Sequence, residues 1–287
     1  MKPEAPMHMK TDAVLNACLN HWGASAVPFS NAGNETLLST PATDQALELL
    51  QQTAALRSVM VLSGPNGIGK SALVAHWVEN LEPKIFRPLV ITQATLGASG
   101  LLCVLAGKLG MTPKHLRHAN LALLETALAQ LGRITPVLVL DEAQAYRPGA
   151  LDEVRLLLGL NLPKKPAFAM ILVGDVYFLD ALRLQSQRAL YSRISAAYTL
   201  PALNREQIAG YLTHALRQVG IDRPCIEPAA MDLLATASEG LPRTINLLAR
   251  AAWIEAAKAK ALSITSEHIQ PALRLVPTAR DMITGQK

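Results

Sequence analysis

The feature that most constrains the fold is the stretch VMVLSGPNGIGKS at residues 59–71. Its apolar start predicts a buried strand, and the residues after it predict a helix. Between them, Gly64 to Ser71 fits the pattern G-x-x-x-x-G-K-S in its required strand–loop–helix context. Glycines at 64, 67 and 69 let the backbone approach a phosphate chain closely, with N–H groups pointing at it from a helix N-terminus. The stretch therefore predicts an α/β nucleotide-binding fold.

The last residues of this loop carry the polar groups that such a site needs. Lys70 can reach the β- and γ-phosphates, and the Ser71 hydroxyl can ligate magnesium. The predicted ligand is a nucleoside triphosphate, taken as ATP with Mg²⁺. The predicted ATP-binding residues of the loop are Gly64, Pro65, Asn66, Gly67, Ile68, Gly69, Lys70, Ser71 and Ala72.

A second apolar run, Val137 to Leu140, ends in two adjacent carboxylates, Asp141 and Glu142. Beside a phosphate-binding loop, the first carboxylate can hold the magnesium ion or its water. The second can orient and deprotonate the water that attacks the γ-phosphate. The pair predicts hydrolysis in addition to binding, with Lys70 and Glu142 as catalytic residues and Ser71 and Asp141 as magnesium ligands.

A third apolar run, Ala169 to Val173, is followed by Gly174 and Asp175. A polar residue at the end of such a strand can touch the γ-phosphate or the attacking water. Asp175 is an unusual choice there because it is acidic and would lie beside phosphate. The alternative is that Asp175 caps a helix beginning near Tyr177, and the sequence leaves both interpretations open.

Three arginines, at positions 183, 188 and 193, follow this strand. On a lone helix they would form a solvated basic face. After the last catalytic strand of an ATPase core, a guanidinium can instead reach the γ-phosphate of a neighbouring subunit. Such a contact stabilises transition-state charge and is worth on the order of 10³–10⁵ in rate.

Composition narrows the class of protein further. The net charge of +5 at pH 7 permits binding to a polyanion without requiring it. Aromatic residues make up 4%, so stacking platforms for single-stranded nucleic acid are not evident. Three scattered cysteines suit reduced thiols, and we find neither a secretory signal nor an apolar run of membrane-spanning length. We expect a cytoplasmic protein that does not enter a membrane.

Hydrophobic periodicity and capping signals divide the chain in two. Up to about residue 200, strands alternate with helices, whereas from Pro201 the pattern is helical throughout. Asn204 and Gln207 have the spacing of a capping box at the start of this second part. The expected organisation is an N-terminal arm (1–24), an α/β nucleotide-binding core (25–200), a helical lid (201–276) and a flexible tail (277–287).

These motifs, in this order, resemble those of AAA+ ATPases, and the resemblance extends over about residues 20 to 275. Within that superfamily the chain is most similar to the branch containing the ExeA-like secretion ATPases and the TniB, TnsC and MuB-like transposition ATPases. The matching stretches are Pro28-Phe29, Gly64 to Ser71, Asp141 to Gln144, Leu172 to Gly174, Ser192 to Ile194 and Gly240 to Leu248.

The resemblance implies a fold and a set of roles. The fold is a parallel sheet flanked by helices, followed by an all-helical lid. Arg243 corresponds to the sensor 2 arginine, Arg193 to the arginine finger with Arg188 as second candidate, and Val27, Pro28 and Phe29 line the adenine pocket. Asp175 falls at the sensor 1 position, where Gln, Asn or Thr is usual, and this departure implies slow, assembly-stimulated hydrolysis.

The two sides of this branch imply different functions. The secretion ATPases carry a membrane segment and a peptidoglycan-binding region after the ATPase, which this sequence lacks. The preferred interpretation is therefore an ATP-dependent regulator of transposition that forms a ring or helical filament on duplex DNA. Its partners would be a transposase and a target-selection protein. The alternatives are a secretion ATPase acting on protein partners, another AAA+ machine such as a helicase or clamp loader subunit, and an inactive ATP-binding module.

Candidate DNA contacts follow a further short buried strand, which the sequence predicts over Pro88-Leu-Val-Ile-Thr92. We expect contacts to phosphates with weak sequence preference. A solvated loop-and-helix face is the alternative. The residues are Thr92, Thr95, Lys108, Lys114, His115, Arg117 and His118, with Lys164-Lys165 as a poorer second cluster.

Overall fold

The computed structural model describes residues 7–30, 37–93, 95–159 and 166–276. The predicted turn at residues 163–166, with Lys164-Lys165, lies almost entirely outside these ranges, as does the predicted tail. The described residues form two compact units. The α/β unit comprises those of Ser39–Asn66 and Lys70–Pro201, and the helical unit comprises those of Met1–Leu38, Gly67–Gly69 and Ala202–Lys287.

Strands and helices alternate through the α/β unit, and helices alone follow it. The strands are β1 (Val59–Ser63), β2 (Phe86–Ile91), β3 (Thr135–Leu140), β4 (Ala169–Val173) and β5 (Ile194–Thr199). The helices are α1 (Met7–Trp22), α2 (Pro41–Leu56), α3 (Lys70–Glu79), α4 (Ala98–Lys108), α5 (Arg117–Gln130), α6 (Pro148–Leu157), α7 (Phe178–Arg183), α8 (Arg188–Tyr191), α9 (Arg205–Gln218), α10 (Pro228–Ser238), α11 (Pro242–Lys258) and α12 (Ser266–Leu275).

The five strands form one parallel sheet in the order β2-β3-β4-β1-β5. Every residue of β1, β3 and β4 is buried, as expected of parallel strands covered by helices on both faces. Pro88, which has no N–H to donate, lies in β2 at one edge of the sheet. Because β4 lies between β1 and β3, the loops that follow these three strands emerge side by side at one edge.

The fold class predicted from the sequence is confirmed, and β5 is an addition to it. Short apolar runs in the sequence predict β1 to β4, whereas Ile194–Thr199 lies outside every predicted strand. Burial alternates along β5, which lies beside β1 at the edge of the sheet, and its sequence ISAAYT has no continuous apolar run. An edge strand of this kind gives a weaker sequence signal than a central one.

The helical unit has a core built from both ends of the described chain. Cys18 and Trp22 of α1 are buried in the same cluster as Trp253 of α11. The Trp22 indole N–H donates to the Trp253 carbonyl at 3.1 Å, and the two rings stack with centroids 6.3 Å apart. Helix α1 thus occupies most of the predicted N-terminal arm and packs on α11.

Helix starts in both units follow the predicted capping chemistry. Thr40 accepts from the Thr43 N–H, with Pro41 as the first helical residue of α2. Asn204 and Gln207 form the predicted capping box of α9. Across residues 7–30, 37–93, 95–159 and 166–276, every helix is too short or too polar to cross a lipid bilayer.

Candidate nucleotide-binding and catalytic site

The loop after β1 has a backbone shape that glycine makes possible. Gly67 and Gly69 have φ angles of 87° and 100°, in the region that side chains other than glycine rarely adopt. Lys70 begins α3 and is 7% exposed. Its ammonium group donates to the carbonyls of Gly64 at 2.8 Å and Pro65 at 3.1 Å. The lysine charge is thereby held over the start of the loop.

The predicted magnesium ligands meet at this loop. The Ser71 hydroxyl donates to the Asp141 carboxylate at 2.8 Å, which joins the first turn of α3 to the end of β3. Ser71 is exposed and Asp141 half-buried, so these oxygens can be reached. Within the described part of the chain there is no cluster of three His, Cys, Asp or Glu side chains that could hold a metal. In nucleotide sites, Mg²⁺ is usually bound by one or two protein oxygens together with phosphate and water oxygens. Ser71 and Asp141 therefore fit a magnesium ion.

Glu142 has a strained backbone at the expected catalytic position. Its φ angle is +51°, which is uncommon for a residue with a side chain. The Glu142 N–H donates to the Asp141 carboxylate at 2.9 Å, and this bond holds the turn. The Glu142 side chain is exposed. The turn therefore separates two neighbouring carboxylates, so that Asp141 faces Ser71 and Glu142 points elsewhere.

Gln144 connects two of the predicted residues and was not itself predicted as a site residue. Its amide nitrogen donates to the Glu142 carboxylate at 2.6 Å. Its amide oxygen accepts from the Asp175 N–H at 3.2 Å. The sequence carries one signal for Gln144, which is its position two residues after Glu142. In the structure, the short 3-10 turn Ala143–Ala145 brings the Gln144 side chain back to Glu142.

The Asp175 side chain is used within its own loop. One carboxylate oxygen accepts from the Tyr177 N–H at 3.0 Å, just before α7 begins at Phe178. The bond closes a turn just before α7, whose N-cap residue is Tyr177 and has no side-chain cap, so Asp175 does not itself cap the helix. A contact from Asp175 to a γ-phosphate stays a prediction.

Tyr146 lies near the Asp141 carboxylate. It is 4% exposed, and its hydroxyl donates to the Ile91 carbonyl at 3.5 Å. Burial, with a smaller contribution from the nearby Asp141 carboxylate, raises the pKa of Tyr146 to about 12. The phenol is therefore a neutral hydrogen-bond donor at every physiological pH.

The three arginines lie on separate short elements, because the segment after β4 breaks into α7, a 3-10 turn and α8. Arg183 pairs with Asp180 at 2.7 Å. Arg188 is exposed at the start of α8. Arg193 is also exposed, and its guanidinium donates to the Arg155 carbonyl at 2.6 Å. The role of Arg193 or Arg188 as an arginine finger therefore stays a prediction.

Two further predicted groups belong to the helical unit. Phe29 is 1% exposed with φ +57° and lies in the core of that unit, with Pro28 buried and Val27 packed against the core. The exposed Arg243 lies in the first turn of α11, and its N–H donates to the Gly67 carbonyl at 3.1 Å. The roles of these residues in binding adenine and phosphate stay predictions.

The candidate DNA-binding residues are mostly exposed around the start of α5. Thr92, Thr95, Lys108, Lys114, His115 and His118 all have exposed side chains. Arg117 is exposed as well, but two of its N–H groups donate to the Glu153 carboxylate at 2.8 and 3.0 Å. The Glu153 side chain is 3% exposed, so Arg117 offsets a buried charge. This makes Arg117 the least available of the predicted DNA contacts.

Comparison with known proteins identifies the domain type. Residues 54–182 match the family model described as an AAA domain. The matched range includes the loop at Gly64 to Ser71, the carboxylates at 141 and 142, and Asp175. This range of the chain is therefore similar to an AAA domain.

A curated relative covers much more of the chain. It is the general secretion pathway protein A of Aeromonas hydrophila, 30% identical over 234 residues. The match covers 79% of this chain and 42% of the relative, so this chain spans less than half the length of that protein. The relative favours the secretion alternative over the transposition interpretation.

Solved structures agree with the fold. A crystal structure of Cdc6p from Pyrobaculum aerophilum matches with a TM-score of 0.70 at 18% identity, over 86% of this chain and 70% of that one. The ORC1 protein of Aeropyrum pernix in complex with DNA matches with a TM-score of 0.65 at 18% identity, over 88% of this chain and 68% of that one. The chain has the AAA+ P-loop NTPase fold.

Proposed function

We propose that this chain is the ATPase part of a secretion or envelope-assembly protein of the ExeA type, which binds ATP with Mg²⁺ and hydrolyses it. The observation that supports the secretion role most directly is the 30% identity to general secretion pathway protein A over 79% of this chain. Its substrate would be ATP and its partners other proteins. We place its activity in the cytoplasm.

The geometry at the strand ends supports hydrolysis. Lys70 supplies positive charge beside the loop carbonyls, where it can bind the β- and γ-phosphates. Ser71 and Asp141 would hold the magnesium ion, which neutralises developing charge on the phosphates when bound. Glu142, set apart from Asp141 by its turn, can accept a proton from the attacking water. The loop residues 64–72 would bind the triphosphate.

Self-assembly is part of the proposal. Arg193 and Arg188 are exposed after β4, where a neighbouring subunit could receive either guanidinium at its γ-phosphate. In the single chain Arg193 rests on the Arg155 carbonyl, a contact that an anionic phosphate would displace. Hydrolysis would then be slow in the free chain and faster in an assembly. Arg243 and Val27 to Phe29 are proposed to bind ATP as sensor 2 and adenine pocket.

A second candidate function is the DNA-binding regulator of transposition, with a transposase and a target-selection protein as partners. The exposed basic residues Lys108, Lys114, His115 and His118 support it. The same fold occurs in an ORC1 protein in complex with DNA, which supports DNA binding only by analogy of fold. We rank it below the secretion role because the curated relative points the other way.

One experiment separates the two. Binding to random-sequence duplex DNA is measured with ATP, ADP or no nucleotide across a salt series, and the mixtures are imaged. The secretion role predicts ATP hydrolysis without DNA binding, even at low salt. ATP-dependent rings or filaments on DNA, abolished by Lys70→Ala, would overturn it in favour of the second candidate. Wild-type protein that neither binds nor hydrolyses ATP would contradict both.

A further inference from the structure

Gln144 stands at the centre of a hydrogen-bond chain that runs between two strand ends. On one side it donates to the Glu142 carboxylate after β3, and on the other it accepts from the Asp175 N–H after β4. The two bonds use both ends of one side-chain amide. A shift of the β4 end relative to the β3 end would therefore act on the same side-chain amide that contacts Glu142.

The orientation of this amide follows from its partners. A backbone N–H can only donate, so the oxygen of the Gln144 amide must face Asp175. The amide nitrogen is then left to face Glu142, whose ionised carboxylate can only accept. The donor–acceptor distance of 2.6 Å is short for an N–H···O bond, in the direction that a charged acceptor favours. The arrangement is thus determined by chemistry and does not depend on choosing between two amide flips.

The remaining bonds of the loop restrict Glu142 from its other side. Its backbone N–H is tied to Asp141, and its φ of +51° leaves little freedom to rotate the residue as a whole. The side chain itself is exposed. The contact with Gln144 is therefore the restraint that sets where this carboxylate lies.

We propose that Gln144 is a positioning residue for hydrolysis, which holds the Glu142 carboxylate and couples it to the backbone of Asp175. This inference rests on the proposed ATPase function. The end of β4 would then contact the catalytic group through the backbone N–H of Asp175, because the Asp175 side chain is turned toward Tyr177. Movement of the β4 end on nucleotide binding would then reach Glu142 through Gln144.

The test uses steady-state ATP hydrolysis by the full chain with Gln144→Met, which keeps the length of the side chain and removes both polar atoms. We expect kcat to fall about tenfold while KM for ATP stays within twofold, since an interaction that acts on the chemical step alone changes kcat. Gln130→Met, an exposed position at the end of α5, is the matched control and should leave both values unchanged.

A second variant separates the two halves of the bridge. Gln144→Glu keeps an oxygen for the Asp175 N–H but sets a carboxylate against Glu142. We expect kcat at least as low as in Gln144→Met. Recovery of wild-type kcat in Gln144→Glu would overturn the inference, because it would mean that only the bond to Asp175 matters.

A double-mutant comparison completes the test. In the Glu142→Gln background, Gln144→Met should change the residual rate less than twofold, because the group that it positions is already lost. An equal tenfold loss in that background, an unchanged kcat in the single variant, or a loss of ATP affinity would overturn the inference. Wild-type protein without ATPase activity would instead contradict the proposed function, so the two failures are distinguishable.

Discussion

The two units of this chain differ in the interactions found at their centres. At the strand ends of the α/β unit, Ser71, Asp141, Glu142, Gln144 and Asp175 form a polar chain with short hydrogen bonds. The centre of the helical unit is a cluster of apolar side chains from α1 and α9–α12 around Trp253. The first region holds chemistry in place, whereas the second gains its stability from burial. Substitutions in the first should therefore change rates, and those in the second should change folding.

The sharpest contrast is expected at Glu142. Glu142→Gln removes the proposed general base and should reduce kcat roughly 10³-fold, within the range of about 10²–10⁴ typical of such a group. The side chain is exposed, so the free energy of unfolding should stay within about 0.5 kcal/mol of the wild type. ATP affinity, measured by calorimetry, should be retained. A residual rate above a tenth of the wild type would assign the base to another residue.

The opposite behaviour is expected at Trp253. This side chain is fully buried, so Trp253→Ala should lower the free energy of unfolding of the helical unit by at least about 3 kcal/mol. Denaturant titration followed by hydrogen exchange would locate the loss in α1 and α9–α12.

Trp253→Phe is the matched control for that loss. Among the described residues, the Trp253 indole N–H is buried without a hydrogen-bond partner. Phenylalanine removes this donor and keeps most of the ring, so we expect a much smaller loss than with alanine. Equal losses in the two variants would contradict burial as the source of stability.

A buried ion pair offers an intermediate case within the α/β unit. Glu153→Gln removes the carboxylate that Arg117 contacts twice, and should destabilise this unit by about 2 kcal/mol. The loss is moderated because the Arg117 side chain is 49% exposed and can be solvated. Glu125→Gln, at an exposed position on α5, should change the free energy of unfolding by less than about 0.5 kcal/mol. If Glu153→Gln changes the free energy of unfolding as little as this control does, the Arg117–Glu153 pair contributes nothing to stability.

The smallest expected effect concerns pH. Tyr146 has an ordinary pKa of 10 when unfolded and about 12 when folded, so the folded state retains its proton longer. The free energy of unfolding should therefore fall as pH rises from 9 to 11, by roughly 1 kcal/mol from this residue. Tyr146→Phe should lose that part of the slope, as measured by urea titration at each pH. An identical slope in the two proteins would contradict the pKa assignment.

Sequence reasoning succeeded where a function depends on residues close together in the chain. The loop at Gly64 to Ser71 and the carboxylates after β3 could be located because each is a short pattern with a definite neighbour. The helices of the C-terminal part could be predicted from their caps, as at Asn204. In the helical unit Gly240 has a local reason, since its φ is +74°, and a non-local one, since a side chain there would meet the Leu203 backbone.

What escaped prediction depends on the folded arrangement. The partner of α1 lies 231 residues away along the chain, and no local pattern links Trp22 to Trp253. Strand β5 is defined by its pairing with β1 more than by its composition. The bridging position of Gln144 requires β3 and β4 to be neighbours, which only the strand order reveals. The charge of Arg117 suggested a free cation, and the buried Glu153 opposite it could not be foreseen.

The pairing of α1 with α11 also has a consequence for how the protein is made. Synthesis at roughly 5–20 residues per second separates the appearance of two such distant segments by about 10–50 s. During that time the apolar side of α1 has no native partner, whereas the α/β unit can complete its sheet as soon as β5 leaves the ribosome. A nascent chain would thus contain a folded nucleotide-binding sheet while the apolar side of α1 is still exposed. An exposed apolar surface of this kind is one that a chaperone protects.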